Sequence, residues 1–198
     1  MNETSERSTS IEGEACPQPE RLTARLRLRP FRLTDEADVQ AICSNRSIAE
    51  MTRTIPHPYP PGAAREWIDS LTAKWAEGDS AVFAIERLDQ PGVVGAVGLT
   101  IDPSNENAEL GYWIAPRDWG QGIATEAARE TIAFGFDELG LHRIFAHHMT
   151  HNPASGRVLA KAGMIREGQL RQHVKKWGVF RDIIIYGITV DDWSRPVS

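Results

Sequence analysis

Between Arg117 and Ala127 the chain reads RDWGQGIATEA, so Gly120 and Gly122 stand two residues apart where an alternating stretch gives way to a helical one. A helix N-terminus offers unpaired N–H groups and the positive end of its dipole. Glycines there let backbone approach an anion without a Cβ in the way. A strand–Gly-x-Gly–helix passage is thus a sound phosphate cradle, although the same spacing also makes a plain tight turn. A P-loop would need Lys and Ser or Thr after the second glycine, and Ile123 and Ala124 follow instead. A dinucleotide fingerprint would need a third glycine where Thr125 stands, and it normally opens a fold. A second candidate is the run HHMTH, residues 147–151. On a strand His147 and His148 point to opposite faces, and no Cys or carboxylate cluster adjoins them, so no metal site is expected. No Cys or Ser–His pairing suggests an acyl-enzyme.

The elements that must position these residues follow from periodicity. Ala24–Phe31 alternates and reads as a strand. LTDEADVQAICSN follows as a helix, with Thr34 or Asp35 as its cap and Val39, Ile42 and Cys43 on one face. TIPHPYPPGAA is broken by prolines into a loop. The next segment sets Trp67, Ile68, Leu71 and Trp75 at helical spacing. AVFAIERLDQPGVVGAVGLTID reads as two strands around an Asp-Gln-Pro-Gly turn, and NAELGYWIA as another strand. After the glycines, Ala124, Ala128, Ile132 and Phe136 form an apolar helical stripe, with Glu126, Arg129, Glu130 and Asp137 off it. RIFAHHMT is a strand, PASGRVLAKAG a short helix, and MIREGQLRQHV and FRDIIIYGITV two closing strands. This order indicates a mixed α/β sheet rather than a bundle or a sandwich.

The length of 198 residues suits one domain with a substantial core. Residues 1–20 carry five glutamates and one arginine, so four of the five net negative charges sit there and the remainder is nearly balanced. The expected organisation is a disordered acidic tail over 1–21 and a single domain over 22–194. A balanced domain argues for neither nucleic acid nor an anionic membrane as partner. No apolar run approaches the roughly 20 residues of a membrane span. The polar N-terminus and the pair Cys16 and Cys43 point to a cytoplasmic protein without a secretory leader or disulfide framework.

Arg117-x-x-Gly120-x-Gly122 followed by Ala124 resembles the acetyl-CoA signature of the GNAT acyltransferases. AELGYWIAPRDWGQGIATEA is similar to the central strand and cofactor helix of the RimJ/RimL branch. HNPASGRVLAKAGMIREGQLR resembles that branch's Asn-x-x-Ser to Glu-Gly-x-Leu-Arg segment. RLRLRPFRLTDEADV and IPHPYPPGAAREWI resemble its first strand and substrate-side loop. The resemblance covers roughly residues 22–194, with Met164 where the branch usually has Phe. It implies a central twisted mixed sheet, flanked by helices and split at the acetyl-CoA site.

The resemblance also implies roles. Backbone at Tyr112, Trp113 and Ile114 would bond the pantetheine arm. The amides of Gly120, Gln121, Gly122, Ile123, Ala124 and Thr125 would hold the pyrophosphate. Arg117 either adds charge near phosphate or is an exposed arginine paired elsewhere. Glu109 shares a strand face with Gly111 and Trp113. It either holds a water and accepts the amine's proton, or is an ordinary strand glutamate in solvent. An N–H near Ile114 would stabilise the oxyanion. Asn152 before Pro153 is a helix cap, and the resemblance adds a pantetheine contact. Ser155 would protonate the departing thiolate, or else bond the first turn of its helix. On the acceptor side stand His57, Tyr59, Trp177 with Arg181, and one of His147 and His148, with His148 the assigned candidate. Lys161, Arg166, Arg171, Lys175 and Lys176 form either a phosphate or partner surface or a solvated face.

The expected activity is therefore acetyl-CoA-dependent acetylation of a primary amine, foremost a protein or peptide N-terminal α-amine, by direct attack in a ternary complex and without metal. A small-molecule amine acceptor and a non-catalytic CoA-binding module are the alternatives, and monomer or homodimer is left open.

Overall fold

The computed structural model describes residues 17–193. In chain order the strands are β1 (Arg21–Leu22), β2 (Leu26–Pro30), β3 (Ser80–Arg87), β4 (Gln90–Asp102), β5 (Asn107–Ile114), β6 (Arg143–Met149), β7 (Ile165–Lys176) and β8 (Val179–Thr189). The helices are α1 (Glu36–Cys43), α2 (Arg46–Met51), α3 (Ala63–Ala76), α4 (Ile123–Asp137) and α5 (Pro153–Lys161). All eight strands form one mixed sheet in the order β1-β2-β3-β4-β5-β6-β8-β7. Every neighbouring pair is antiparallel except β5 and β6, which are parallel and register only over Asn107↔Arg143, Ala108↔Ile144 and Glu109↔Phe145. Beyond Glu109 the ladder stops, and residues 110–114 and 146–149 become the two sides of a cleft.

The main core lies between the sheet and α4. Phe83 and Phe134 meet edge to face at 5.4 Å, within a cluster that includes Leu26, Leu28, Ile85 and Leu99. The buried face of α4 is wider than the expected stripe, taking in Ile123, Ala127, Thr131, Phe134 and Gly135 as well. It packs against both the sheet and α5, so one narrow stripe cannot cover its partners. Ala124 is only half-buried, because it faces the cleft.

Several local readings shift. Asp35 does not cap α1 with its side chain. Its carboxylate accepts from the Arg32 N–H at 2.8 Å and pairs with the buried guanidinium of Arg29 at 2.7 and 2.8 Å. Burial pushes the Asp35 carboxyl up, but those hydrogen bonds and the Arg29 charge hold it below its ordinary range. The β3–β4 turn sits at Leu88–Asp89 rather than at Asp-Gln-Pro-Gly, since Gln90 already pairs with Arg87. Pro91 and Gly92 then fall where the register shifts, a position a proline tolerates. The short α2 has no counterpart in the sequence reading. Asn45 starts it by accepting from the Ser47 N–H at 3.0 Å, but six residues carry too little periodicity to be seen. The expected tail lies outside the described residues over 1–16, as does residue 194. Gln18 donates to the Val82 carbonyl at 3.0 Å and Arg21 belongs to β1, so the chain joins the fold just before the expected boundary at 22.

Candidate active site

The cleft between β5 and β6 opens into a cavity of about 1080 Å³. Gly120, with φ of 76°, and Gly122, with φ of 81°, both occupy the left-handed region that glycine tolerates at little cost. Gly122 is the N-cap of α4 and supplies no side chain, so no capping side chain covers the helix N-terminus where it lines the cavity. The indole of Trp119 folds back to donate to the Ile114 carbonyl at 2.6 Å, tying the glycine turn to the end of β5. Ile123, Ala124 and Thr125 line the cavity, but the side chain of Gln121 turns away to Arg87 at 2.6 Å and the Arg117 carbonyl at 3.3 Å. Arg117 does not line the cavity either. Its guanidinium pairs with the buried Asp118 at 3.3 Å, the alternative in which it is engaged elsewhere.

A different arginine approaches the cradle. Arg25, in the turn between β1 and β2, donates to the Gln121 carbonyl at 3.0 Å and pairs with Glu126 at 2.6 Å. A Cβ on Gly122 would lie 3.3 Å from its Nη2. Nothing local in the sequence signals this, because positions 25 and 122 meet only through the sheet.

The pleat of β5 sorts the remaining groups. On the α5 side, the Tyr112 hydroxyl lies 2.7 Å from Ser155 Oγ and 3.2 Å from the Ser155 carbonyl. Burial pushes the Tyr112 phenol up to about 12, although the Ser155 hydrogen bond opposes it. The phenol therefore remains protonated at neutral pH. Asn152 caps α5 through Oδ1, which accepts from the Ser155 N–H at 3.2 Å. Its Nδ2 reaches the Met51 carbonyl at 3.4 Å, so both ends of the side chain are engaged. Asn152 lines the cavity while bridging α5 to α2.

On the opposite face are Glu109 and Trp113, the latter 6.4 Å from the ring of Trp67. Glu109 is not simply solvated. Its Oε1 lies 3.2 Å from His147 Nδ1, and its Oε2 lies 3.6 Å from Arg53 Nη2. The two histidines do face opposite ways and both line the cavity, but His148, the expected acceptor-side candidate, is buried. Its Nδ1 faces the Met149 carbonyl at 2.9 Å, and its ring packs under α5, where a Cβ on Gly156 would come within 2.6 Å of Nε2. The residue beside Glu109 is His147. Tyr59 lines the cavity, and burial together with Cys43 pushes its phenol up to about 12. His57 and Trp177 lie outside the lining and face each other at 6.4 Å. Lys176 beside them donates to the Ile55 carbonyl at 2.7 Å, fastening the β7–β8 turn to the loop after α2.

The description "Acetyltransferase (GNAT) domain" matches residues 25–165, well over half of the chain. The chain belongs to the GNAT acetyltransferase family. The N-acetyltransferase YoaA of Bacillus subtilis is 35% identical over 169 residues, covering 84% of this chain and 94% of that protein. The [ribosomal protein uS5]-alanine N-acetyltransferase of Escherichia coli is 27% identical over 147 residues, covering 73% of this chain and 75% of that enzyme. Among solved structures, Mycobacterium smegmatis RimJ in complex with CoA-disulfide superposes with a TM-score of 0.77 at 28% identity, covering 86% of this chain and 84% of that one. The GNAT domain here is accordingly an N-acetyltransferase, its eight-stranded mixed sheet sharing the fold of its structural neighbours. Among the described residues no helix is long and apolar enough to cross a membrane, and no cluster of three or more metal-ligating side chains occurs.

Proposed function

We propose that this GNAT enzyme takes acetyl-CoA as donor and acetylates the N-terminal α-amine of a protein or peptide by direct attack in a ternary complex. The observation that carries the reading is the opening of the parallel pair after Glu109, with Glu109 on one face of the split and the Tyr112–Ser155 pair on the other. The side-chain-free cradle at Gly120 and Gly122 fits a pyrophosphate, and Arg25 adds a positive charge at its edge. When bound, acetyl-CoA supplies the activated acetyl thioester. The amides of residues 120–125 neutralise its phosphates, and the backbone of Tyr112, Trp113 and Ile114 aligns its arm, with an N–H near Ile114 facing the oxyanion. Asn152 contributes through backbone and as the cap that sets the start of α5. Glu109 holds a water that receives the amine's proton. Ser155 gives its proton to the thiolate and regains one from the second N–H proton that the amine loses after attack, with the protonated Tyr112 hydroxyl beside it.

The acceptor class rests on three supports. An α-amine with a pKa near ~8 needs far less help to be neutral at pH 7 than a lysine near ~10.4. The E. coli relative named for ribosomal-protein alanine, and the fold shared with RimJ, favour a protein N-terminus. A polyamine would need several free carboxylates. The only acidic side chains among the described lining residues are Glu109 and Asp118, already faced by Arg53 and His147 and by Arg117 respectively. Tyr59, which lines the cavity, would contact the acceptor, whereas His57 and Trp177 lie outside the lining and would act only on a longer acceptor. Thiol release measured over a panel of N-terminal peptides and small amines tests the reading. Turnover on peptides with a free α-amine is expected, and turnover confined to small amines would overturn it.

A further inference from the structure

Glu109 is an incomplete account of where the amine's proton goes, because the carboxylate does not face the cavity alone. His147 meets it at 3.2 Å through Nδ1, from the strand on the other side of the split. A carboxylate only accepts hydrogen bonds, so the neutral imidazole is favoured with its proton on Nδ1. That leaves the lone pair on Nε2. His148, one residue on, is differently used: its ring is packed beneath Gly156. We propose that His147 is a catalytic residue that receives the amine's proton on Nε2 through the water held at Glu109, with the Glu109 carboxylate stabilising the imidazolium that forms. The inference rests on the role given to Glu109 above.

The balance of the step is simple. An N–H bond of R–NH3+ breaks, its electron pair stays on nitrogen, and the proton ends on Nε2, leaving R–NH2 ready to attack. The imidazolium later returns its proton to solvent, matching the one proton that acetylation of an ammonium releases. An imidazole is better matched than a carboxylate to an amine proton near neutral pH.

The surroundings keep the ring ready to accept. Burial is the largest influence and pulls the imidazolium below its ordinary 6.5. Glu109 from β5 raises it, while Arg53 from the loop after α2, His173 from β7 and His148 from its own strand all lower it. The ring is thus neutral at pH 7 and charges only in acid. Activity depending on a neutral His147 is present above that lowered pKa and is lost as pH falls through it.

The test joins kinetics to NMR on the full chain. For the fastest amine in the panel above, His147→Gln should lower kcat/KM at pH 7 by about 100-fold or more and abolish the acid limb of the pH profile. Acetyl-CoA affinity should be unchanged. Glu109→Gln should slow the enzyme but keep a limb, moved to lower pH. Full activity of His147→Gln with the limb in place would overturn the proposal. Loss in His147→Gln together with full activity in Glu109→Gln would instead remove Glu109, and with it the pairing proposed here. Should no amine be turned over, 15N spectra of the histidines decide. An Nδ1–H tautomer for His147 that titrates below 6.5, and lower still in Glu109→Gln, is expected. An Nε2–H tautomer, or a titration blind to Glu109→Gln, would overturn it.

Discussion

Ser155 illustrates how far a single residue type can be read before its neighbours are known. A serine in the first turn of a helix commonly bonds the local backbone. Here Oγ turns instead to the Tyr112 hydroxyl at 2.7 Å, a contact between residues 43 apart. Tyr112 thereby engages α5 through its side chain, beyond the backbone role that the family resemblance implies for it. A thiol pKa near ~8.5 makes the thiolate a tolerable leaving group, so a proton donor helps without being indispensable. Ser155→Ala is expected to lower kcat by about 10- to 100-fold while the KM for acetyl-CoA is retained, at the modest end of general acid catalysis. Steady-state kinetics on the best peptide checks this, and an unchanged kcat would remove Ser155 from the chemistry. The Glu109 reading sharpened in the same way. Alternation gave its strand face, but only the meeting of β5 with β6 and the loop after α2 reveals His147 and Arg53 beside it.

At the scale of elements, the strand–glycine–helix passage was the most legible part of the chain. Gly120 and Gly122 adopt the left-handed backbone that their spacing invited, and the helix begins at once after them. The same holds for Asn152 and Pro153 at the start of α5, since caps are local chemistry. What escaped were the contacts that tertiary structure alone supplies. Arg117 carries the charge of the signature but pairs with Asp118, whereas Arg25 arrives from another turn. Similarly, adjacent histidines were separable into opposite faces, yet which one meets Glu109 and which packs beneath α5 was not assignable. The cradle itself is tested by Gly122→Val. A β-branched residue costs roughly 1–2 kcal/mol or more in the left-handed region and crowds the helix end. Affinity for acetyl-CoA should fall at least about tenfold by calorimetry, with the far-UV spectrum of the fold retained. Undiminished affinity in the folded variant would count against this turn as the phosphate site.

Across the whole molecule, the proposed function rests on one parallel pair in an otherwise antiparallel sheet. Six of the seven neighbouring strand pairs are antiparallel, but β5 and β6 run parallel for three residue pairs and then part. Mixed strands and helices were enough to indicate the architecture, and the likeness to a known family supplied the split. Periodicity alone does not show where two strands separate, because pairing is not written in either strand. The parting sets Glu109 and the Tyr112–Ser155 pair on opposite faces of one gap, the base and acid sides of the proposed reaction, with the glycine turn proposed as its phosphate cradle. The most direct test is a crystal structure of this chain with CoA. The pyrophosphate is predicted at the amides of residues 120–125, with the arm along Tyr112–Ile114 and the sulfur in the gap, between Ser155 Oγ and the Glu109–His147 pair. A CoA whose arm lies outside the gap, or whose sulfur is remote from Ser155 and Glu109, would contradict the account.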